Sequence, residues 1–207
     1  MSPTNLVTAA LKSSVKLHGR RFTGPIHDEA NGSMLWIPSE DKYGRVFAGP
    51  PTEDIDAAWD ELIYGRYVNF TKSEVSWLNN DKGLPHLTFI DLSIPGSIEP
   101  GFYGGPDMLH TLHCVNALRK HLDLDYYRNR MTMFPRMHVD HCVDQLRQAA
   151  LCHGDLTPVT LKPVKAADGE VHILLGETER MHTCRNGEEL ADAWRRRGDV
   201  TGRFNIS

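Results

Sequence analysis

The chain has 207 residues, of which 40% are hydrophobic, and carries a formal net charge of -4. This length suits one domain, or a domain with an extended arm, and is long enough to bury a core. The slightly acidic balance gives no electrostatic basis for binding nucleic acid or an anionic membrane surface. No apolar run approaches the roughly 18 residues of a membrane span, so the chain as given is expected to be soluble and to lack a membrane anchor.

Residues 1–50 are predicted to form an extended N-terminal arm. Gly, Pro and charged residues are frequent there, and hydrophobic periodicity is weak. The runs 33–37 and 45–47 favour short edge strands within the arm. Residues 51–207 are expected to form a single domain.

The first part of this domain is expected to alternate short helices and strands. Ile55, Trp59, Leu62 and Ile63 fall on one helix face, so a helix is predicted up to Ile63, with Thr52 placed to cap it. The further predictions for this part are strands over 67–70 and 87–90, a helix over 74–78 and a loop over 95–106.

Two longer helices are predicted next, from about Pro106 to Leu122 and from about Pro135 to Cys152, with Gly154 as a helix stop. Their apolar stripes are Leu112, Val115, Leu118 and Leu122 in the first helix, and Val139, Val143, Leu146 and Ala150 in the second. Strands over 156–164 and 171–175, a helix over 187–197 and a fraying tail follow. The predicted fold class is α+β and helix-rich, with short peripheral strands around this helix pair.

A five-residue pattern, His-x-x-His-Cys, occurs once in each of the two longer helices. It runs from His110 to Cys114 and recurs 28 positions later from His138 to Cys142. In each copy two imidazoles and a thiol fall within an arc of about 100° on one helix face. The His stripe lies about 110–130° from the predicted apolar stripe in both helices. Packing on the apolar stripes is therefore expected to bring the four imidazoles to one cleft.

The four imidazoles predict a metal site with His110, His113, His138 and His141 as ligands. Copper is favoured because the ligands are imidazoles alone, whereas non-haem iron sites more often combine two His with one carboxylate. Zinc and iron stay open as alternatives, and so does a binding surface without an ion. The residues that could supply a carboxylate to iron are Asp107, Asp140 and Asp155.

The four cysteines allow two uses. In a reducing compartment Cys114 and Cys142 are expected to ligate the metal as thiolates, which would favour zinc. In an oxidising compartment Cys114, Cys142, Cys152 and Cys184 are expected to form two disulfides. Cys142 and Cys152 cannot pair, because they lie about 15 Å apart along one helix. Pairs 114–142 and 152–184 are favoured over 114–152 and 142–184, because a 114–142 bridge joins equivalent positions of the repeat and would clip the two helices together.

His153, Asp155 and His182 are second-tier candidates, because they flank Cys152 and Cys184. Each is predicted to orient a ligand imidazole or to act as a general acid or base. The predicted catalytic residues therefore include His153 and Asp155 beside the four motif histidines. Helix capping and turn formation are the alternative roles.

The compartment is predicted from the sequons. Asn-x-Ser/Thr sequons begin at Asn31, Asn69 and Asn205 and favour the lumen of the secretory pathway. The cytoplasm is the alternative.

The doubled motif, the helix end Cys152-His-Gly-Asp155 and the later His182-Thr-Cys184-Arg185 together resemble the fungal UstYa-like family. The resemblance covers about Trp36 to Trp194, and the entry region 48–59 is also similar. It implies an oxidative tailoring enzyme of fungal secondary metabolism that acts on peptides and related natural products by oxidative cyclisation, hydroxylation, dehydrogenation or halogenation. It also implies that the two motifs form a metal-dependent active site. Family members commonly carry an N-terminal membrane helix, which is not expected in this chain.

The prediction is thus a metal-dependent oxidoreductase with copper held by the motif histidines, O2 as oxidant and a peptide or other natural product as substrate. Two other classes of function stay open. One is a redox-neutral, zinc-type cyclase or hydrolase, and the other is a non-catalytic partner of a biosynthetic enzyme. No nucleic-acid partner is expected, and both a homodimer and a heterodimer stay open.

Overall fold

The structure is a computed structural model that describes residues 15–24, 26–29, 33–79, 87–91, 99–130, 136–165, 169–177, 179–201 and 203–204. These ranges contain six helices and nine short strands, which confirms the predicted helix-rich α+β class. Among the helices in these ranges, none is both long and apolar enough to cross a membrane.

The helices, in chain order, are α1 Glu53–Ile63, α2 Lys72–Asn79, α3 Asp107–Leu122, α4 Leu124–Tyr127, α5 Arg136–His153 and α6 Gly187–Thr201. The strands are β1 Leu17–Arg21, β2 Ile26–Asp28, β3 Met34–Trp36, β4 Tyr67–Asn69, β5 Tyr103–Gly104, β6 Thr160–Lys165, β7 Val171–Glu177, β8 Met181–Arg185 and β9 Arg203–Phe204. Strand β1 pairs with β8, β2 with β3 and β6 with β7, while β4 lies between β5 and β9.

The first compact unit consists of the described residues of Met1–Lys16, Leu62–Cys114 and Arg185–Ser207. Its core joins Val68 on β4, Leu109 on α3, and Ala191 and Trp194 on α6, each at most 3% exposed. The Trp194 indole donates a hydrogen bond to the Arg66 carbonyl at 3.2 Å, so its polar edge is satisfied although the ring is buried. Because Leu109 belongs to this core, it anchors the first turn of α3 beside β4.

A capping box begins α2 in the same unit. The Thr71 amide donates to the Glu74 carboxylate at 2.8 Å, and the Glu74 amide donates to the Thr71 hydroxyl at 3.4 Å. Arg197 on α6 forms an ion pair with the same carboxylate, and both side chains are largely buried. This pair links α2 to α6.

The second compact unit consists of the described residues of Leu17–Glu61 and Val115–Cys184. Thr52 caps α1 as predicted, because its hydroxyl accepts a hydrogen bond from the Ile55 amide at 3.2 Å. Trp59 is buried, and its indole donates to the Phe47 carbonyl at 2.8 Å. The longest strand pair in this unit is the antiparallel hairpin of β6 and β7.

A buried ion-pair network joins α1, α3 and α4 in the second unit. The Arg119 guanidinium donates to the Asp56 carboxylate, to the Tyr127 hydroxyl at 2.8 Å and to the Asn116 amide oxygen at 2.9 Å. The Tyr127 hydroxyl in turn donates to Asp56 at 2.7 Å. Arg119 is only 8% exposed, so its charge is neutralised inside the protein rather than by water.

Some local predictions were wrong. Residues 87–89 are not in a strand, and Ile90 forms only an isolated bridge with Gly101. The strands β8 and β9 were not predicted, and β9 occupies part of the tail expected to fray. Part of the predicted loop over 95–106, and the sequon residues Asn31 and Asn205, lie outside the described residues. The division into an arm over 1–50 and one domain over 51–207 stays a prediction.

The predicted apolar stripes of the motif-bearing helices were also wrong in part. Leu122 is 85% exposed and Val143 is 55% exposed, although both were expected to face the core. The cysteines of the two motifs, Cys114 and Cys142, are fully buried instead. The buried face of each helix therefore runs through the motif cysteine.

Candidate functional site

The first motif lies on α3, directly after the core residue Leu109. His110 and His113 are half-buried, and their ring centroids are 6.3 Å apart with the planes inclined by 28°. Cys114 is fully buried one helical turn after His110. The two imidazoles and the thiol thus lie on one face of α3, as the i, i+3, i+4 spacing requires.

The second motif, on α5, repeats this local geometry. The His138 and His141 ring centroids are 6.4 Å apart, with the planes inclined by 38°. His138 is half-buried and His141 is exposed, while Cys142 is fully buried. Two copies of a motif from separate helices therefore present the same three donors in closely matching arrangements.

In each copy the thiol lies beside the imidazole one turn earlier. The distance from Cys114 Sγ to His110 Nε2 is 3.8 Å, and that from Cys142 Sγ to His138 Nε2 is 4.0 Å. The sulfur and the nitrogen of each pair are consequently close enough to contact one small ion.

The structure shows none of the predicted disulfides among the four cysteines, all of which lie in the described ranges. Cys114 and Cys142 point toward imidazoles of their own helices. Cys152 is exposed and Cys184 is half-buried. The exclusion of a pair between Cys142 and Cys152 agrees with the structure, since α5 is continuous from Arg136 to His153.

The structure separates His153 and Asp155 from the motif on α5. His153 follows His141 by twelve positions of one continuous helix, which corresponds to about 18 Å along the axis. Asp155 follows Gly154, which has a φ of 52° and ends the helix as predicted. His153 and Asp155 thus lie at the opposite end of α5 from the motif histidines. Their assignment as catalytic residues stays a prediction.

Asp155 instead forms a pair with His182. The distance from His182 Nδ1 to the Asp155 carboxylate is 2.6 Å, and the Thr157 amide donates to the same carboxylate at 2.9 Å. The Phe22 ring stacks on the buried imidazole, with the ring centroids 3.6 Å apart. The bond with His182, and secondly that with Thr157, lowers the pKa of Asp155 to about 2. This pair fastens the end of α5 to β8.

The network around Arg119 was missed from the sequence. Arg119 is buried, and its contacts hold α1, α3 and α4 together. Burial, and secondly the hydrogen bond to Asp56, raises the pKa of Tyr127 to about 12. Burial alone would raise the pKa of Asp56, but hydrogen bonds from Arg119 and Tyr127 outweigh it and lower that pKa. No local pattern could reveal a contact between residues 63 positions apart.

The donor set of the motifs fits a copper or zinc ion. Imidazole and thiolate donors are typical of these metals, whereas carboxylates are expected at a non-haem iron site. Asp140, a predicted carboxylate donor, is bound by Arg136 at 2.7 Å, and Asp155 lies beyond the far end of α5, paired with His182. Asp107 remains as the alternative carboxylate on α3.

Residues 3–197 match the model of a protein family described as "Mycotoxin biosynthesis protein UstYa". The chain belongs to the UstYa family. The resemblance inferred from the doubled motif is thereby confirmed. The chain is 29% identical to the UstYa family oxidase phomYd of Diaporthe leptostromiformis over 206 residues, or 96% of this chain and 62% of that protein.

Two further relatives are named for different reactions, one as an oxidase and one as a transacylase. Identity to the UstYa family oxidase phomYc of Diaporthe leptostromiformis is 28%, covering 76% of this chain and 61% of the relative. Identity to the transacylase cctO of Talaromyces islandicus is 24%, covering 74% of this chain and 51% of the relative. The chain thus spans half to three fifths of the length of these relatives. No solved structure matches the chain.

Proposed function

We propose that the chain is a copper-dependent oxidase that tailors a peptide or a related fungal natural product with O2. The observation that carries this proposal is the repeated motif, which presents two imidazoles and a buried thiol with the same local geometry on α3 and on α5. Two relatives named as oxidases support an oxidative reaction, and the family's description as a mycotoxin biosynthesis protein supports a natural product as substrate.

In this proposal His110, His113, His138 and His141 hold the copper. When bound, copper supplies one-electron chemistry that lets electrons and hydrogen pass from a substrate C–H, N–H or phenol O–H group to O2. A dehydrogenation or an oxidative ring closure then removes two electrons and two protons from the substrate, and O2 accepts them. Each motif imidazole would bind the ion through an unprotonated ring nitrogen.

The protein contributes the position of these imidazoles. Leu109 is fully buried in the core of the first unit, which sets the rotation of α3 and hence the direction of His110 and His113. On α5 the buried Val139 and Cys142 set the direction of His138 and His141 in the same way. Half-burial of three of the four imidazoles limits the access of bulk water, while the exposed His141 leaves room for a substrate.

An oxygen-uptake assay tests the proposal. The purified chain is loaded with copper and given extracts or synthetic peptides from the biosynthetic pathway, and O2 consumption and product mass are recorded. We expect O2 consumption that depends on substrate and copper, together with a product that has lost hydrogen or gained oxygen. His141→Ala, at an exposed position, should abolish both signals without unfolding the chain. His18→Ala, at an exposed histidine of β1, is the matched control and should retain them. Equal activity in the two variants would contradict the catalytic assignment.

A second candidate is a redox-neutral reaction in which the ion, for instance zinc, serves only as a Lewis acid. The name of the relative cctO, a transacylase, favours it. An acyl shift within one molecule leaves the mass of the substrate unchanged and consumes no O2. The same assay therefore separates this candidate from the oxidase.

The lumen of the secretory pathway is the proposed compartment, on the evidence of the sequons. Among them, Asn69 is an unfavourable glycan acceptor. Its side-chain oxygen accepts a hydrogen bond from the Phe102 amide at 3.2 Å, and its amide nitrogen donates to the Pro100 carbonyl at 3.5 Å. A glycan on Asn69 would break these contacts between β4 and the segment before β5.

A further inference from the structure

The two-stranded sheet of β6 and β7 has two outer edges, and only one of them is interrupted by a proline. Among the described strands, β7 pairs with β6 alone. Pro163 on β6 lies opposite Leu174 on β7. Proline has no amide hydrogen and is tolerated in an edge strand where that position faces away from the partner strand. The outer edge of β6 is therefore interrupted at Pro163, whereas β7 contains no proline.

The register determines which backbone groups of β7 face outward. Opposite residues of an antiparallel pair alternate between hydrogen-bonded and non-hydrogen-bonded positions. Because Pro163 cannot donate a hydrogen bond, Pro163 and Leu174 form a non-hydrogen-bonded pair, and so do Leu161 and Gly176 two positions further along. The amide and carbonyl groups of Leu174 and Gly176 therefore point away from β6, toward the outer edge of β7, where a further strand could pair with them.

A narrow cavity lies along this edge of β7. It has a volume of about 280 Å³, and its walls include Leu175, Gly176 and Glu177 of β7 together with Ile26 and His27 of β2. Consecutive residues of a strand face opposite sides of the sheet, so a cavity lined by three of them in a row runs along the strand edge. Among the described strands, β2 pairs only with β3. The cavity is thus a slot between two strands that each pair on one edge only.

We infer that this slot binds an extended peptide segment, which adds to β7 as a third strand. The slot is smaller than typical small-molecule sites of about 300–1,000 Å³, so it suits a stretched chain better than a compact ring system. Ile26 and Leu175 offer apolar contacts, whereas Lys162 and Glu177 offer charges of both signs, so the alternating side chains of a bound strand meet different surroundings. This inference rests on the proposed function for the choice of a peptide, and deepens it by adding a docking site formed outside the motifs.

The charged end of the slot is ordered by contacts within the chain. The Thr160 hydroxyl donates to the Glu177 carboxylate at 2.8 Å and accepts from the Arg180 guanidinium at 2.6 Å. Arg180 and Glu177 also form an ion pair at 3.7 Å. A peptide that enters the slot therefore does not have to order these side chains, which lowers the entropic cost of binding. Because the two charges offset each other, backbone hydrogen bonds are expected to supply most of the affinity.

The test uses the full chain without added metal. The probe is a fluorescein-labelled hexapeptide of alternating Val and Thr with blocked termini, because both residues favour an extended backbone. A fully N-methylated analogue keeps the side chains but has no amide hydrogen. Fluorescence anisotropy should show saturable binding of the first peptide and about tenfold weaker binding of the analogue, because the analogue cannot donate to the carbonyl groups at the edge of β7.

A pair of proline variants locates the peptide on one edge of the sheet. Gly176→Pro removes an outward amide hydrogen inside the slot and leaves the hydrogen bonds between β6 and β7 in place. It should weaken binding of the hexapeptide about tenfold. Leu161→Pro is the matched control, because Leu161 lies directly opposite Gly176 on the edge that Pro163 already interrupts. This variant should bind the hexapeptide as the wild type does.

Amide hydrogen exchange of the wild type, followed by NMR with and without the hexapeptide, decides the matter even if a variant fails to fold. Exchange of the Leu174 and Gly176 amides should slow when the peptide is added, whereas that of Leu175, which is paired with Lys162 on β6, should change little.

Three results would overturn the inference. These are the absence of saturable binding, equal binding of the two peptides, and unchanged exchange at both outward amides under saturating peptide. A wild type that dimerises, becomes monomeric on Gly176→Pro and binds no peptide would also overturn it, because a second copy of the chain would then occupy the edge. None of these measurements depends on metal or O2, so failure here leaves the proposed oxidase to be decided by oxygen uptake alone.

Discussion

Replacing Asp56 by Ala should destabilise the chain more than replacing Asp56 and Arg119 together. Arg119 is 8% exposed and forms an ion pair with Asp56, so the single substitution Asp56→Ala leaves a buried guanidinium without its counter-charge. Breaking a buried ion pair from one side costs about 3–5 kcal/mol, out of a total stability of about 5–15 kcal/mol. The double variant Asp56→Ala/Arg119→Met removes both charges and keeps an apolar side chain of similar length. It should therefore recover part of that loss.

The assay is urea denaturation at pH 7, followed by circular dichroism on the wild type, the two single variants and the double variant. The coupling free energy between the two positions is obtained from this cycle. Tyr127 donates to Asp56 and accepts from Arg119, so Tyr127→Phe should cost about 1 kcal/mol and serves to check the third member of the network. A loss below about 1 kcal/mol in Asp56→Ala, or a double variant less stable than that single variant, would refute the role assigned to the buried pair.

Three other substitutions test the fold around the motifs. Leu109→Ala should cost about 2–5 kcal/mol of unfolding free energy in urea denaturation, because Leu109 is part of the core that orients α3. It should also weaken metal binding by His110 in an equilibrium titration. Unchanged stability would contradict the burial of Leu109. Asp155→Asn should reduce the loss of thermal stability between about pH 4 and pH 2. The native pKa of Asp155, about 2, lies below the unfolded value of about 3.9, so the stabilisation present above pH 4 is lost as the pH falls through 2. The same pH dependence of the melting temperature in wild type and variant would argue against the bond between Asp155 and His182. Thr71→Ala should cost about 1 kcal/mol by removing the cap of α2, and a melting temperature equal to that of the wild type would contradict the capping box.

The motif-bearing helices could be predicted closely from the sequence. Asp107–Leu122 and Arg136–His153 agree with the predicted ranges to within one or two residues, because periodicity, a preceding proline and Gly154 act within a few positions of each helix end. Thr52 was recognised as a cap for the same reason. Signals that act locally along the chain are readable without an alignment.

The face that each helix buries could not be predicted in the same way. Leu122 and Val143 were placed inward because they are apolar, yet both are exposed. Cys114 and Cys142 were treated as possible disulfide partners, yet they are fully buried beside imidazoles. Burial depends on what each helix packs against, and this is set by residues far away in sequence.

Contacts between distant segments account for the other differences. The strand β9 exists because Arg203 and Phe204 pair with β4, more than a hundred residues earlier. The pair of His182 with Asp155 brings the end of α5 into contact with β8. A single sequence carries no signal for either pairing, whereas the doubled motif is a property of the sequence itself. The convergence of the four imidazoles on one cleft stays a prediction.

Elemental analysis of the purified chain is the most direct measurement of metal dependence. Inductively coupled plasma mass spectrometry would be applied to the wild type after copper loading and desalting, and to the variant in which His110, His113, His138 and His141 are all replaced by Ala. The proposal predicts retained copper in a fixed ratio to the wild-type chain and none in the variant, with both proteins folded by circular dichroism. A folded wild type that retains no copper, or a variant that retains as much as the wild type, would contradict it.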